Sequence, residues 1–356
     1  MRFPITLAAA VLAVVTARAD KAVLVVGPDS ADPKVTQPFA VDFGKIGKQE
    51  FIYFVERAGG ERLRAIDADG KVRTVAGTGK KGDSTDDPHG AAPKAEFNGM
   101  HTLVVTKNGT KAYLADTFNH RIRACDLQRQ FMMRFAGTGK AGFAGDGDVS
   151  EKAEFSQPIC IALTPDEKTM YVADIGNKRV RAIDLATRKV STFAGTGKAG
   201  VPKDGEPAKD QPLVDPRAVA ADDKGNVYIL ERSGHALRVV DKTGKIRTVA
   251  GTGKAGKGGD GGPALKAAMN GPKFVSLDKD GSVLIADTEN HQIRRFVPGK
   301  ETVELVAGSG KKGDHFDADP KKLELSRPHG VSVHPTTGDL YIADSDNGRI
   351  VKIVRD

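Results

Sequence analysis

The sequence contains no tryptophan, two cysteines among 356 residues, and few aromatic side chains, which make up 6% of the chain. Proteins that recognise sugars or single-stranded nucleic acid usually stack their ligand on exposed aromatic rings. The tyrosines of this chain all stand three residues before an acidic residue of a repeated pattern, at Tyr53, Tyr113, Tyr171, Tyr228 and Tyr341. A side chain that recurs at one place in a repeat is predicted to be framework, so we expect no nucleic-acid partner.

Long hydrophobic runs are also scarce. One mostly apolar run extends from Phe3 to Val15, and no later stretch approaches the roughly 20 apolar residues that a membrane-spanning helix requires. This run follows Met1-Arg2 and precedes Ala17-Arg18-Ala19, the basic, apolar and small-residue order that is typical of a secretory signal peptide. The sequence therefore predicts a signal peptide over residues 1–19, cleavage after Ala19, no membrane span, and export to the periplasm or the extracellular space.

Cysteine and charge place weaker limits on function. Cys125 and Cys160 would lie in a compartment that permits disulfides, but they occupy non-equivalent places in neighbouring repeats. Both a bridge and two separate buried core residues therefore remain open. Lysine and arginine number 54 against 46 aspartates and glutamates, a formal net charge of +8 that is spread along the chain. This excess is weak evidence for an anionic partner.

The dominant feature of the sequence is a repeat. A short apolar run ends in an acidic residue, and a polar turn leads to an apolar-basic run, as in Tyr113-Leu-Ala-Asp116 before Asn119-His120-Arg121-Ile122-Arg123. The acidic positions 56, 116, 174, 231, 287 and 344 are spaced by 60, 58, 57, 56 and 57. Each repeat divides into four short strands separated by turns, the pattern of a propeller blade. We predict an all-β, six-bladed β-propeller of four-stranded antiparallel blades over residues 20–356.

The ends of the chain predict how the ring closes. The last repeat stops after its third strand, at Val351-Lys-Ile-Val354, and its fourth strand is missing. The segment from Ala22 to Gly27 resembles the fourth strands of the other repeats. We expect residues 22–27 to complete the last blade, because this pairing would leave no open sheet edge at the seam.

The turn motifs resemble a known family. Asn119-His120-Arg121-Ile122-Arg123 and Asn290-His291-Gln292-Ile293-Arg294, each three residues after an aspartate, are similar to NHL repeats, and the Ala-Gly-Thr-Gly linkers resemble those of bacterial exported members. The resemblance implies the propeller fold over nearly all of residues 20–356. It leaves activity open, because NHL-type propellers include protein-binding, RNA-binding and metal-dependent lyase members.

The repeated acids and bases are predicted to be scaffold. An aspartate at the end of the second strand accepts backbone N–H groups of the following turn in this interpretation, and an arginine faces it across the hairpin. The pairs would include Asp116 with Arg123 and Asp174 with Arg181. The histidines of the turns, His120, His235 and His291, are expected to be exposed polar residues.

One face of the propeller is expected to carry the function, since the turn between the second and third strands and the loop between blades emerge there together. Glycine-rich interblade loops are predicted to be ordered caps, each pinned by an apolar anchor, at Phe97, Phe155, Leu213, Met269 and Leu325. Lysines follow the outer strands at Lys80, Lys140, Lys198, Lys254 and Lys311. They are either a basic rim for an acidic partner or solvated residues that protect strand edges.

The inner strands begin around the central channel, and the first residue of each differs from blade to blade: Phe39, His101, Ile159, Arg217, Lys273 and His329. Such variation within a repetitive framework marks a candidate ligand-binding site at the channel mouth, formed by His101, Arg217, Lys273 and His329. These side chains suit a carboxylate or phosphate group. The alternative is that they merely line a water-filled channel.

No metal or other cofactor is required by the sequence, although zinc and calcium sites are not excluded. His101 and His329 would supply two zinc ligands, and a structural zinc site needs three or four. A third ligand would have to come from a turn such as His120. Apart from any metal, His120 and His291 in the turns of the same face are secondary candidates for ligand binding. The resemblance implies histidines near the axis, as in NHL-type lyases. The Asp-Gly pairs at Asp146 and Asp260 lack the ligand pattern of an EF-hand.

Two functions from different classes follow. The first is an exported binding propeller that recognises a protein or a small anionic ligand on the looped face. The second is a propeller hydrolase or lyase in which His101 or His329 acts as base or metal ligand while Arg217 or Lys273 stabilises negative charge. The binding function is preferred because the sequence shows no complete catalytic set.

Overall fold

The computed structural model describes residues 20–30, 34–84 and 90–355. The predicted signal peptide, residues 1–19, lies outside the described residues. Nearly all regular structure in the described part is β-strand, and short 3-10 turns connect some of the strands.

The strands follow one another in blades. The first strand is β1 (Lys21–Val26). Blade 1 contains β2 (Gln37–Ile46), β3 (Gln49–Arg57), β4 (Arg62–Ile66) and β5 (Val72–Ala76). A two-residue strand, β6 (Gly90–Ala91), precedes blade 2, which contains β7 (Met100–Val105), β8 (Lys111–Asp116), β9 (Arg121–Asp126) and β10 (Phe131–Ala136). Blade 3 contains β11 (Pro158–Leu163), β12 (Thr169–Asp174), β13 (Arg179–Asp184) and β14 (Val190–Ala194).

The second half of the chain repeats this order. Blade 4 contains β15 (Pro216–Ala221), β16 (Val227–Glu231), β17 (Ala236–Val240) and β18 (Ile246–Ala250). Blade 5 contains β19 (Phe274–Leu277), β20 (Val283–Asp287), β21 (Gln292–Val297) and β22 (Thr302–Ala307). Blade 6 contains β23 (Gly330–Val333), β24 (Leu340–Asp344) and β25 (Arg349–Val354). The 3-10 turns are Ala92–Lys94, Thr117–Asn119, Ser150–Lys152, Ile175–Asn177, Ala208–Asp210, Ala264–Lys266, Thr288–Asn290 and Ser345–Asn347.

In the described residues, six antiparallel sheets are arranged as a six-bladed β-propeller, which confirms the predicted fold class. The inner strands β2, β7, β11, β15, β19 and β23 contact one another in ring order, and β23 returns to β2. Blade 2 differs from the predicted four strands, because β6 adds a short fifth strand outside β10.

The ring closes through the first strand, as predicted. β1 pairs antiparallel with β25, and Val23 stands opposite Lys352. Burial along the strand is irregular, because Ala22 and Val26 are 2% and 1% exposed whereas Leu24 between them is 50% exposed, and the pairing register shifts between Leu24 and Val26. Blade 6 thus takes its outer strand from one end of the propeller sequence and its inner three from the other.

Apolar side chains between the blades form the core. The five predicted anchors are buried, with 0% exposure at Phe97, Phe155, Leu213, Met269 and Leu325. Phe274 stands where the other inner strands have Ala40, Thr102, Cys160, Ala218 and Gly330, and it packs against three separate apolar clusters of the ring. Cys125 and Cys160 are free thiols, buried in two different clusters.

The repeated acid and arginine form buried ion pairs, but the backbone bonds differ from the prediction. Arg238 lies 2.6 Å from Glu231 and Arg294 lies 3.2 Å from Asp287, with the acids fully buried. The carboxylate of Asp287 accepts the N–H of Asn270 at 2.8 Å. That donor lies in the loop before the inner strand, not in the following turn. The acid therefore fixes the loop that enters its own blade.

The Asn-His pair of the turn ties loops together, and this corrects the expectation of exposed histidines. The side chain of Asn290 donates to Asp287 at 2.9 Å and to the interblade loop at Gly256 at 2.8 Å. His291 adopts the left-handed conformation, with φ of 56°, is half-buried, and accepts the N–H of Arg327 from the next blade at 3.1 Å. His120 and His235 accept Gln157 and Gly271 in the same way.

Candidate functional site

The six variable residues at the channel mouth are aimed inward by local irregularities of the inner strands. Phe39, Ile159 and Arg217 each lie at a β-bulge, where the pairing register with the second strand shifts. His101 lies at a similar shift between Met100 and Leu103. A bulge leaves one residue out of the ladder and redirects its side chain. Lys273 and His329 immediately precede their strands, and their N–H groups bond Ala286 and Ala343.

These residues share one cavity of about 510 Å³, here called the mouth cavity. It is lined by the six variable residues together with Gln37, Arg57, Phe118, Gln157, Ile175, Gly176, Lys178, Val214, Asp215, Arg232, Ser233 and Arg327. Both second-to-third-strand turns and interblade loops contribute, so the cavity opens on the predicted face. Among the residues that the structure describes, its lining contains six cationic side chains and one carboxylate.

Arg217 is a buried guanidinium that faces the cavity without a carboxylate. It is 5% exposed, its Nε has no hydrogen-bond partner, and no ion pair with it occurs among the described residues. The neighbouring carboxylate of Asp215 already accepts hydrogen bonds from Arg232 at 2.9 Å and from the Ser233 hydroxyl at 2.7 Å. Burial, with the nearby charge of Arg232, lowers the pKa of Arg217 to about 9.

Lys273 is placed between a carboxylate and an imidazole. Its ammonium donates to Glu289 at 2.7 Å and lies 3.4 Å from Nε2 of His329. Glu289 also accepts from Arg327 at 3.0 Å. Burial lowers the pKa of Lys273 to about 8, although Glu289 opposes the shift. Glu289 therefore pairs with two cations at the cavity, Lys273 and Arg327.

The two mouth histidines are neutral. Nδ1 of His329 bonds the Arg327 carbonyl at 2.8 Å, and a carbonyl can only accept, so the proton resides on Nδ1 and Nε2 accepts from Lys273. Nδ1 of His101 similarly donates to the Gly99 carbonyl at 2.7 Å. Burial, with the charges of nearby cations, lowers the pKa of both histidines well below the ordinary value.

Other predicted site residues lie elsewhere. His120 and His291, the secondary candidates, do not line the mouth cavity and serve as interblade acceptors. The strand-end lysines are exposed and lie outside the cavity, at Lys80, Lys140, Lys198, Lys254 and Lys311. Asp146 and Asp260 bond the repeat arginines Arg181 and Arg294.

No cluster of three His, Cys, Asp or Glu side chains able to hold a metal occurs within residues 20–30, 34–84 and 90–355. In the same ranges, none of the helical segments has the length and apolarity needed to cross a bilayer.

Sequence reasoning missed a second set of cavity residues, which includes Arg57, Phe118, Arg232 and Arg327. Phe118 and Arg232 lie just after the acid of the second strand, and Arg327 lies two residues before His329. Both places vary among the blades, as the mouth residues do. This shared variability is the signal that would have found them.

The comparisons with known proteins agree with this architecture. Residues 269–296 and 325–353 match the family model of the NHL repeat. The chain is 28% identical over 289 residues to NHL repeat-containing protein 2 of Homo sapiens, covering 73% of this chain and 39% of that protein. These two segments of the protein are NHL repeats. The NHL-repeat chain is also 26% identical over 271 residues to Protein SUPPRESSOR OF QUENCHING 1, chloroplastic, of Arabidopsis thaliana, covering 73% and 25%. It spans only a part of each curated relative.

Solved structures show the same fold at low identity. The NHL-repeat chain matches an auxiliary nutrient binding protein from Bacteroides ovatus with a TM-score of 0.66 and 15% identity, covering 94% of this chain and 76% of that one. It matches virginiamycin B lyase from Staphylococcus aureus with a TM-score of 0.56 and 12% identity, covering 95% and 100%. At these identities the likeness establishes the propeller fold alone.

Proposed function

We propose that this protein is an exported binding protein that holds a small anionic ligand in the mouth cavity. The observation that carries the proposal is Arg217, a guanidinium that is 5% exposed, lines the mouth cavity and has no carboxylate bound to it among the described residues. Burying an unpaired charge is costly. A ligand carboxylate or phosphate would complete the site, because guanidinium groups bind these oxyanions through two parallel hydrogen bonds.

The surrounding charges support an anion rather than a cation. Asp215, a carboxylate of the lining, is already paired with Arg232, and Glu289 beside the cavity is shared by Lys273 and Arg327. Arg57 adds a further positive charge without a hydrogen-bonded carboxylate in the described part of the chain. The volume of about 510 Å³ lies within the range of small-molecule sites. A structural neighbour is called a nutrient binding protein, which is consistent with this proposal.

Calorimetric titration of the purified protein with acetate, sulfate and inorganic phosphate tests the proposal. We expect at least one anion to bind, and Arg217→Met to reduce its affinity at least about tenfold, because a charge-assisted hydrogen bond contributes about 1.5–3 kcal/mol. Lys198→Met removes one exposed positive charge outside the cavity and serves as the matched control. No binding by the native protein, or equal loss in both variants, would refute the proposal.

Export is the second part of the proposal. It is supported by the basic, apolar and small-residue segments of residues 1–19. Mass spectrometry of the protein secreted by its native host should find Asp20 as the first residue. A protein that retains residues 1–19 and stays in the cytoplasm would contradict export without affecting the binding site.

A second candidate function is a lyase or hydrolase that abstracts a proton in the same cavity. It is favoured by His101, a neutral imidazole whose Nδ1 is fixed by Gly99 at 2.7 Å, while Nε2 has no hydrogen-bond partner in the described ranges. Such a group is suited to act as a general base. Proton NMR in D₂O would show loss of C–H signals of a bound organic acid, and His101→Gln would stop it. Unchanged signals would exclude this proton transfer.

A further inference from the structure

The mouth cavity is not chemically uniform around its rim. Its aromatic and branched apolar side chains belong mainly to blades 1–3: Phe39, Phe118, Ile159 and Ile175. Its cations belong mainly to blades 4–6: Arg217, Arg232, Lys273 and Arg327. Arg57 and Lys178 are the cationic exceptions on the apolar side. Blade 1 lies opposite blade 4 in the ring, so Phe39 and Arg217 stand on opposite sides of the cavity.

Phe118 is the exposed part of the apolar side. It is 37% exposed, although it lines a cavity in which most other apolar side chains are buried. The Phe118 ring is fixed rather than free. It packs edge-on against His101 with centroids 5.8 Å apart, and the Arg57 guanidinium lies 5.6 Å from its centroid.

Gly99 makes room for this ring. A Cβ at Gly99, which has φ of 72°, would stand 2.4 Å from the Phe118 side chain. Any other residue at this position would force the ring away, in addition to the strain of a positive φ. The Arg57 guanidinium makes cation–π contacts with two rings, since it lies over Phe39 at 5.3 Å from the centroid and also over Phe118. It therefore belongs to the aromatic side of the cavity.

We infer that the ligand of the mouth cavity is an organic anion with an apolar body, whose charged group binds Arg217 and whose apolar part lies against Phe118 and Ile159. This inference rests on the proposed anion-binding function and names its ligand class. A bare inorganic anion would leave Phe118 exposed to water, whereas an apolar body would cover the ring, and removing apolar surface from water favours binding.

Two ligands with the same charged group distinguish the contribution of the cationic side of the cavity to binding from that of the apolar side. Methylphosphonate and phenylphosphonate carry the same anionic group, and only the second has an aromatic body. We expect the native protein to bind phenylphosphonate at least about tenfold more tightly, which corresponds to about 1.4 kcal/mol. Phe118→Ala should narrow this ratio at least about threefold, because it should weaken phenylphosphonate binding more than methylphosphonate binding. Arg217→Met should weaken both ligands.

Control variants and ligands distinguish a failure of the inferred ligand class from a failure of the proposed anion binding. Phe143→Ala removes another phenylalanine, 43% exposed, that does not line the cavity, and should leave the ratio unchanged. Equal affinities of the native protein for the two phosphonates would overturn the inference and leave anion binding intact. A ratio that Phe118→Ala and Phe143→Ala change alike would also overturn it. If neither phosphonate nor any inorganic anion binds, the proposed function itself fails.

Discussion

The ammonium of Lys273 lies 2.7 Å from the carboxylate of Glu289, at the edge of a cavity that otherwise carries an excess of positive charge. Glu289 is shared with Arg327 at 3.0 Å and is only partly buried. It neutralises charge that an anionic ligand would otherwise meet. In the proposed function, Glu289 therefore competes with the ligand for the same two cations.

Glu289→Gln should strengthen anion binding by about three- to tenfold, because removing a partly exposed carboxylate next to two cations is worth about 1 kcal/mol. Calorimetry with sulfate measures the change. Glu304→Gln is the matched control, since Glu304 also pairs with an arginine, Arg295 at 2.6 Å, but lies away from the mouth cavity. Weaker sulfate binding in Glu289→Gln would mean that the carboxylate organises the site instead of opposing the ligand.

Anion affinity should depend on pH through Lys273. Because its pKa is lowered to about 8, chiefly by burial, the side chain is charged below pH 8 and loses its proton above it. An anion binds the charged form, so sulfate affinity should be full at pH 7 and fall as the pH rises through 8 and 9. Lys273→Arg should move this decrease to higher pH, toward the pKa of about 9 of Arg217. A flat profile between pH 7 and 9 would exclude Lys273 from the site.

Arg217→Met should raise the stability of the unliganded protein while it removes anion binding. The guanidinium is 5% exposed and its Nε has no hydrogen-bond partner in the described part of the chain, so its replacement by an apolar side chain of similar length removes a desolvation cost of about 1–3 kcal/mol. Urea denaturation without added anion measures this gain. A less stable variant would show that Arg217 holds the fold together and would weaken the argument for a ligand.

Val26→Asp should destabilise the closed ring by about 3 kcal/mol or more, because it places a charge at a position that is 1% exposed in the strand that pairs with β25. Leu24→Asp alters the same strand at a position that is 50% exposed, and should change stability by no more than about 0.5 kcal/mol. Thermal unfolding followed by circular dichroism compares the two. Similar losses in both variants would show that side-chain burial in β1 does not decide closure.

His235 should make stability depend on pH. Its Nδ1 accepts the N–H of Gly271 at 3.2 Å, and burial lowers its pKa in the folded state below 6.5. The unfolded chain then binds the proton more readily, so this contribution to stability is present above pH 6.5 and is lost as the pH falls below it. The maximum slope is about 1.4 kcal/mol per pH unit.

His235→Asn tests this effect, since asparagine tolerates the left-handed conformation but does not titrate. Urea denaturation between pH 7 and pH 5 should show a smaller loss of stability in this variant than in the native protein. His315→Asn changes an exposed histidine and is the matched control. Parallel pH profiles of the native protein and His235→Asn would show that His235 does not contribute to the pH dependence of stability.

The sequence predicted the ring and its closure well because both depend on features that every blade repeats. Alternating apolar positions define the strands, and the regular spacing of the acids defines the blades. The partner of each acid was harder to predict. Asp287 bonds the loop before its inner strand at Asn270, and that contact bridges 17 residues, which hairpin rules based on adjacent turns do not anticipate.

The candidate site was predicted only in part. Arg217 and Lys273 occupy an inner-strand position that could be read from the proline before it, and the structure brings them into one cavity with His101 and His329. Phe118 reaches the same cavity from a turn of irregular sequence, and Glu289 pairs with two of its cations from another such turn. Whether a side chain on a turn points toward the axis depends on the left-handed residues and glycines around it, such as Gly99, and these effects act through three-dimensional packing.

The pairing of β1 with β25 also has a consequence for how the protein is made. Val23 emerges from the ribosome long before Lys352, yet the two stand opposite each other in blade 6. Contacts so distant in sequence slow folding. Blades 1 to 5 can form in order as the chain is made, whereas the hydrogen-bonding edge of β1 stays unpaired until β25 becomes available. The interval before that release is when the nascent chain is most exposed to chaperones, proteases and edge-to-edge aggregation.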